Sequence, residues 1–429
     1  MTLQSRLPDS LNTLAESKQE AANQLEALAR ELATTQTVEP LRGLATAARP
    51  TLLDPLPKLA TRLRAAHRYF VNASEEELAL AYASEWLLDN FHVIEQALRQ
   101  LKQDLPVGYY RQLPKLRTDD EMQGLPRVYA LARALIIHDE CEVDTSRLEQ
   151  FVIAYQQHGP LTMGELWAMP IMLRLVLLEC IAQAAGNITG VTGDLSTPAY
   201  PLTLGHNDII ANCIPSLRLI DNENWEEFFE RVSLVQQILL EDPSGVYAHM
   251  DFPTRNDYRR VIETLARATQ HTEPAIAQQV VDLAQAAYDA EPDKHSPKPK
   301  LVDKPTWDDE SAADGSAADS SWCNFALSRA AHVGYYLLAE GRAELDSQVG
   351  YQPETGERLR RWVLAHPTLV YLSGVGLFTL LIELGAIFHA LSGNASTLAT
   401  TVTALLVLIP ALTTAIQLVN WLVTHTLPP

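Results

Sequence analysis

Residues 398–423 read LATTVTALLVLIPALTTAIQLVNWLV, 26 residues without a charged side chain. At 1.5 Å per residue, a helix of this length spans a hydrocarbon core ~30 Å thick. Just upstream, residues 368–390 read TLVYLSGVGLFTLLIELGAIFHA, in which Glu383 is the one charge. Buried helices of soluble proteins rarely combine such length and purity. The two runs therefore predict a transmembrane hairpin, with spans 367–390 and 397–424 and the neutral link LSGNAST between them. The lipid bilayer is the first partner the sequence names. Arg358, Arg360 and Arg361 precede the first span, and no Lys or Arg follows Arg361. The positive-inside rule then puts the N-terminal region and the C-terminus in the cytoplasm, with the short link outside. Glu383 is costly inside a span. It is either functional or, the plainer expectation, hydrogen-bonded to another helix of a larger bundle. Pro410 predicts a kink that leaves the Leu406 carbonyl without its usual bond, with the Thr413 and Thr414 hydroxyls close by.

Upstream of the spans the chain reads as all-α. Leu7, Leu11, Leu14, Lys18, Ala21, Leu25, Leu28 and Leu32 recur at 4-3 spacing, the seam of an antiparallel hairpin or short coiled coil within residues 1–64. Prolines at 40, 50, 55 and 57 interrupt it. Ser74 with Glu77 is a capping box. It opens a helix whose apolar stripe is Leu87, Phe91, Ile94, Leu98, Leu101 and Leu105. Further helices are predicted at about 125–137, 144–157, 162–185, 224–240, 254–268 and 273–288, and no period-two strand pattern competes. The expected organisation is a helical hairpin segment (1–64), a multi-helix domain (65–290), a disordered Pro/Lys/Asp/Ser linker (291–321), a juxtamembrane helical segment (322–366), and the two spans.

Composition narrows the function. Lys and Arg number 33 against 53 Asp and Glu, a net charge of −20, which repels phosphate backbones and argues against nucleic acid. Cys141, Cys180, Cys213 and Cys323 lie far apart without a C-x-x-C pair, arguing against a zinc ribbon or disulfide framework and for a reducing compartment. Glu85, Asp89, His92 and Gln96 share one helix face. Asp89 and His92 resemble half of a carboxylate–histidine metal site, but no second such helix exists, so a solvated stripe is the expectation. The His138-Asp-Glu-Cys141 turn reads as a polar helix end. No phosphate-cradling glycine loop and no G-x-S-x-G elbow occurs. On spacing alone the chain is not an enzyme, and neither a catalytic residue nor a metal or cofactor ligand is assigned within it.

The helix around Trp86 ends in DLPVGYYRQLP (104–114). Pro106 stops it, Gly108 is expected to permit a tight reversal, Tyr109 and Tyr110 offer rigid surfaces, and Arg111 offers a fork of donors. A structural corner is the plainer reading of this stretch. The alternative is a contact surface for glucan or another domain, to which Trp86, Asp89, His92, Glu165 and Trp167 are added as candidates.

The stretch 86–116 resembles the N-terminal region of the cyclic β-1,2-glucan synthases, large bacterial membrane glycosyltransferases. The resemblance continues through GLPRVYALARALI (124–136), FVIAYQQHGPLTMGELWAMPIMLRLVLLE (151–179), NWEEFFERVSLVQQILLEDPSGVYAHMDFPTRNDYRRVIETLA (224–266), HVGYYLLAEGRAELDSQVGY (332–351) and RLRRWVLAHPTLVYL (358–372). It implies a bacterial inner-membrane, multi-pass protein involved in carbohydrate metabolism. In such synthases a family 84 glycosyltransferase domain, using UDP-glucose and a divalent metal, follows the first spans, and a family 94 phosphorylase-like domain lies further on. By the resemblance, this chain is the non-catalytic assembly and anchoring portion, a fragment or a truncated relative, inactive by itself. Its partners are then the bilayer, the transferase and phosphorylase-like domains, and β-glucan. A stand-alone membrane-tethered helical module that binds carbohydrate or protein is the competing reading.

Overall fold

The computed structural model describes residues 9–39, 52–73, 82–190, 200–290, 329–353, 356–358, 362–363, 366–393 and 396–426. The expected linker at 291–321, the Ser74–Glu77 capping box, Arg360, Arg361 and Cys323 lie outside the described residues. The chain divides into two compact units, Met1–Gly350 and Tyr351–Pro429.

The protein is all-α, and among the described residues β pairing is limited to the isolated bridges Val38–Leu116 and Lys115–Pro126. In the first unit the helices run α1 (Asp9–Thr35), α2 (Leu56–Asn72), α3 (Tyr82–Asp104), α4 (Val107–Gln112), α5 (Arg127–His138), α6 (Thr145–Gln156) and α7 (Met163–Thr189). They continue as α8 (His206–Asn222), α9 (Trp225–Val232), α10 (Leu234–Leu239), α11 (Phe252–Ala268), α12 (Glu273–Asp289), α13 (Val333–Leu338) and α14 (Arg342–Gln348).

The unit is built around α7. Thr162 and Glu165 close a reciprocal capping box at its start, and Gly190 ends it at φ 68°, the left-handed stop that glycine takes without penalty. Helices α2, α3, α5 and α8 pack around it. By length and composition α7 too is apolar enough to cross a membrane, but 89% of its most apolar window is buried inside the protein. Its interior charges are matched: Arg127 meets Glu165, Asp221 meets Arg174, and the Tyr129 and Tyr200 hydroxyls meet Glu179. Sequence reading reaches this helix but not its role as the axis of the core.

The predicted stripe on α3 is buried at Leu87, Ile94, Leu101 and Leu105, while Phe91 is half-buried and stacks on His67 at 3.9 Å. Helix α1 packs against α6, with Leu25 and Ala29 fully buried. The seam expected to form an antiparallel hairpin or short coiled coil within residues 1–64 also packs, in its described part, on a helix more than a hundred residues along the chain. Two local expectations need correction. Gly108 makes no reversal; it sits inside α4, whose N-cap is Pro106. The helix expected over 224–240 divides at Ser233, which ends α9 and caps α10 through its hydroxyl.

The second unit is a helical hairpin of α15 (Pro367–Ser392) and α16 (Thr397–Thr426). Val375, Ala415 and Val419 form its seam with Tyr371, Phe378 and Ile416, and the Tyr371 hydroxyl donates to Asn420 Oδ1 at 3.2 Å. Only 6% and 17% of the most apolar windows of these helices are buried. Leu380, Leu384, Phe388, Leu405, Leu406 and Ile409 project outward, as residues bathed in lipid do. The Thr413 and Thr414 hydroxyls donate to the carbonyls of Ile409 and Pro410, not to that of Leu406. Glu383 Oε1 is buried without a hydrogen-bond partner among the described residues.

Candidate functional site

A cleft of about 530 Å³ opens in the first unit where α4, the start of α7, the end of α11 and the start of α12 converge. Each wall follows from a local rule. Pro106 and Leu113 bound the six-residue helix that presents Tyr109, whose hydroxyl donates to the Gly164 carbonyl at 2.6 Å. Thr162 starts α7 and Thr272 starts α12, each accepting an amide with its hydroxyl. The first turn of α7 leaves donors unsatisfied. Glu273, from the first turn of α12, reaches across to take one of them, the Met163 amide, at 2.7 Å. Behind this wall Glu165, fully buried, forms a forked pair with Arg127, whose Nε and Nη2 donate at 2.7 and 2.5 Å. Arg127 also donates to the Pro160 carbonyl.

The electrostatics are uneven. Burial raises the Glu273 pKa to about 8, and the nearby Glu263 and Glu165 add to the rise against the Met163 amide and Arg267. Burial works against the Arg127 charge, but Glu165 outweighs it and raises the pKa. Burial and then Glu263 push the Tyr109 hydroxyl up. At neutral pH the cleft therefore holds a neutral carboxylic acid, Glu273, beside an ion pair, Arg267 with Glu263.

Of the residues singled out from sequence, Tyr109 lines this cleft and Glu165 lies one hydrogen bond behind it. The others go elsewhere. Tyr110 is buried, with its hydroxyl accepting the Leu52 amide and Lys115 over its ring at 3.4 Å, while Arg111 is exposed. Trp167 stacks on Phe229 at 4.8 Å and meets Phe252 edge-on. Trp86 is half-buried on α3, and Glu85, Asp89, His92 and Gln96 are exposed along it. Arg127, Glu263, Arg267, His271 and Glu273 were not foreseen. Glu273 follows an N-cap threonine and precedes a proline, which reads as an ordinary solvated helix start.

Two further clusters form. Cys141, Cys180 and Cys213, remote in sequence, come together as buried free thiols from the turn after α5, α7 and α8. Hydrogen bonds from Cys180 and Cys213 lower the Cys141 pKa, while burial raises the other two. Glu140 and Cys141 occupy left-handed backbone at φ 50° and 68°, and His138 contacts Asp139, so the His138–Cys141 stretch is a polar turn. Separately, Asp242 accepts from His332 Nδ1 at 2.8 Å and from the Ser244 hydroxyl at 2.6 Å, while the Tyr258 hydroxyl contacts His332 Nε2 at 3.1 Å. This clasp joins α13 to the loop after α10.

No family model matches the chain. It is 26% identical to the cyclic beta-(1,2)-glucan synthase NdvB of Rhizobium meliloti (strain 1021), over 67% of this chain and 12% of that protein. The chain is thus a distant relative of a small part of a cyclic glucan synthase.

Proposed function

We propose that the chain serves as the non-catalytic, membrane-anchoring and assembly portion of a glucan-polymerising membrane enzyme, with transfer from UDP-glucose performed by domains outside residues 1–429. The observation that carries this reading is the distant similarity to a glucan synthase in a chain that joins a compact helical unit to a lipid-facing hairpin. The helical unit would lie in the cytoplasm of a bacterial cell, on the side where UDP-glucose is found, and the hairpin in the inner membrane. The test is a chimera: in a bacterium making cyclic β-1,2-glucan, this chain replaces the corresponding segment of the resident synthase. Membranes carrying the chimera should form β-1,2-glucan from UDP-glucose. A chimera that inserts at normal abundance and forms none would overturn the proposal.

The cleft at Tyr109 and Glu273 favours a second reading, a membrane-tethered helical module that binds a carbohydrate or protein ligand without serving a synthase. A ligand bound at this cleft, together with an inactive chimera, would select it.

A further inference from the structure

We propose that the cleft between α4, α7, α11 and α12 is a receptor for an organic cation, an ammonium or guanidinium group that ion-pairs with Glu273 and Glu263. The inference holds under either reading of the function, because it rests on the cleft alone.

Three acids, Glu39, Glu263 and Glu273, line the cleft against two bases, Arg127 and Arg267. Both bases are committed, Arg127 to Glu165 and Arg267 to Glu263. Among the described residues no ion pair reaches Glu273. The residue is 5% exposed, yet it lines the cavity. Among the described residues its one hydrogen bond comes from the Met163 amide to Oε2, so the carboxyl of this cavity-lining residue keeps capacity for a further partner. A buried carboxyl that lines a cavity and has one hydrogen bond is unfinished: a donor in that cavity would complete it, and a cationic donor would do so most strongly. The walls suit the rest of such a ligand, since Leu113, Pro114 and Pro274 give apolar contact for an alkyl stem.

The pH signature follows from the groups around Glu273: the Met163 amide, Glu263, Arg267, Glu165 with Arg127, His271 and Tyr109. A cation binds the carboxylate, so it must displace the carboxyl proton to solvent. With Glu273 titrating at about 8, affinity should be about tenfold higher at pH 9 than at pH 7.

The experiment is calorimetric titration of the full chain in lipid nanodiscs with spermidine and with the peptide acetyl-Ala-Arg-Ala-amide. Binding of either probe, tighter at pH 9 and accompanied by proton release near pH 7, is the expected result. Binding of the peptide alone identifies a basic protein segment as the natural ligand; binding of both identifies a free amine as sufficient. Glu273→Gln should abolish the pH dependence and His271→Gln should preserve it. Arg267→Ala should tighten binding several-fold by releasing Glu263, a gain that a damaged fold would not produce. Failure of both probes to saturate the native chain at pH 9 overturns the proposal, as does unchanged binding by a folded Glu273→Gln variant.

Discussion

Glu179 and Glu273 are ordinary carboxylates in the unfolded chain and weak acids in the folded one. Burial raises Glu179 from 4.5 to about 7 even though Tyr129 and Tyr200 both donate to it. Each group holds its proton more tightly folded than unfolded, so their stabilising contribution is complete below pH 4.5 and is lost as pH rises through about 7 and then about 8. For Glu179 the loss is on the order of 3 kcal/mol at 1.36 kcal/mol per pKa unit. Urea denaturation midpoints of the native chain should therefore fall between pH 5 and pH 8. Glu179→Gln, which keeps an acceptor for both tyrosines, should flatten that fall; an equally steep fall in the variant would refute the assignment. At this scale the sequence was opaque. Nothing around Glu273 or Glu179 distinguishes them from solvated acids, because their burial comes from segments remote in the chain.

Elements were far more legible. Apolar spacing located α3, α5, α6, α7, α11 and α12, since helix periodicity records which face is buried. Helix α8 was missed because Pro215 lies inside it and reads as a stop, and α2 because Pro55 and Pro57 read as interruptions although they stand at a helix start, where proline is tolerated. Pairing between elements was not legible, as α1 with α6 illustrates, because a stripe says that a face is covered and not by what. The Asp242–His332–Tyr258 clasp is the clearest case of such hidden pairing. It has a sharp dependence on Gly334, where an added Cβ would lie 2.3 Å from the Tyr258 hydroxyl and 2.6 Å from His332 Nε2. Gly334→Ala should cost about 1–3 kcal/mol through overpacking. It should also raise amide hydrogen exchange selectively in α13 and α14. Uniform protection in the variant would show that the clasp does not hold these helices.

At the scale of the whole molecule the sequence announced the division between a polar helical unit and an apolar hairpin, because lipid-facing helices need no polar face at all. With the orientation proposed above, a cysteine at Ser392 in intact cells should react with a membrane-impermeant maleimide, and one replacing Pro428 should react only after lysis. The reverse pattern would invert the topology. Helix α7 poses the opposite problem, since its composition matches a membrane span and its place is a protein core. Chain order bears on how the two outcomes are kept apart during synthesis. Of the helices that pack on it among the described residues, α2, α3 and α5 have already left the ribosome when α7 emerges, while α8 and α9 are still to come. Arg174 and Glu179, deep in its length, would each cost about 2.5–3.5 kcal/mol at a bilayer centre. Of their partners, Tyr129 and Asp104 are already translated, while Tyr200 and Asp221 follow. The insertion machinery therefore meets, in α7, a segment for which three packing helices exist before its own synthesis is complete.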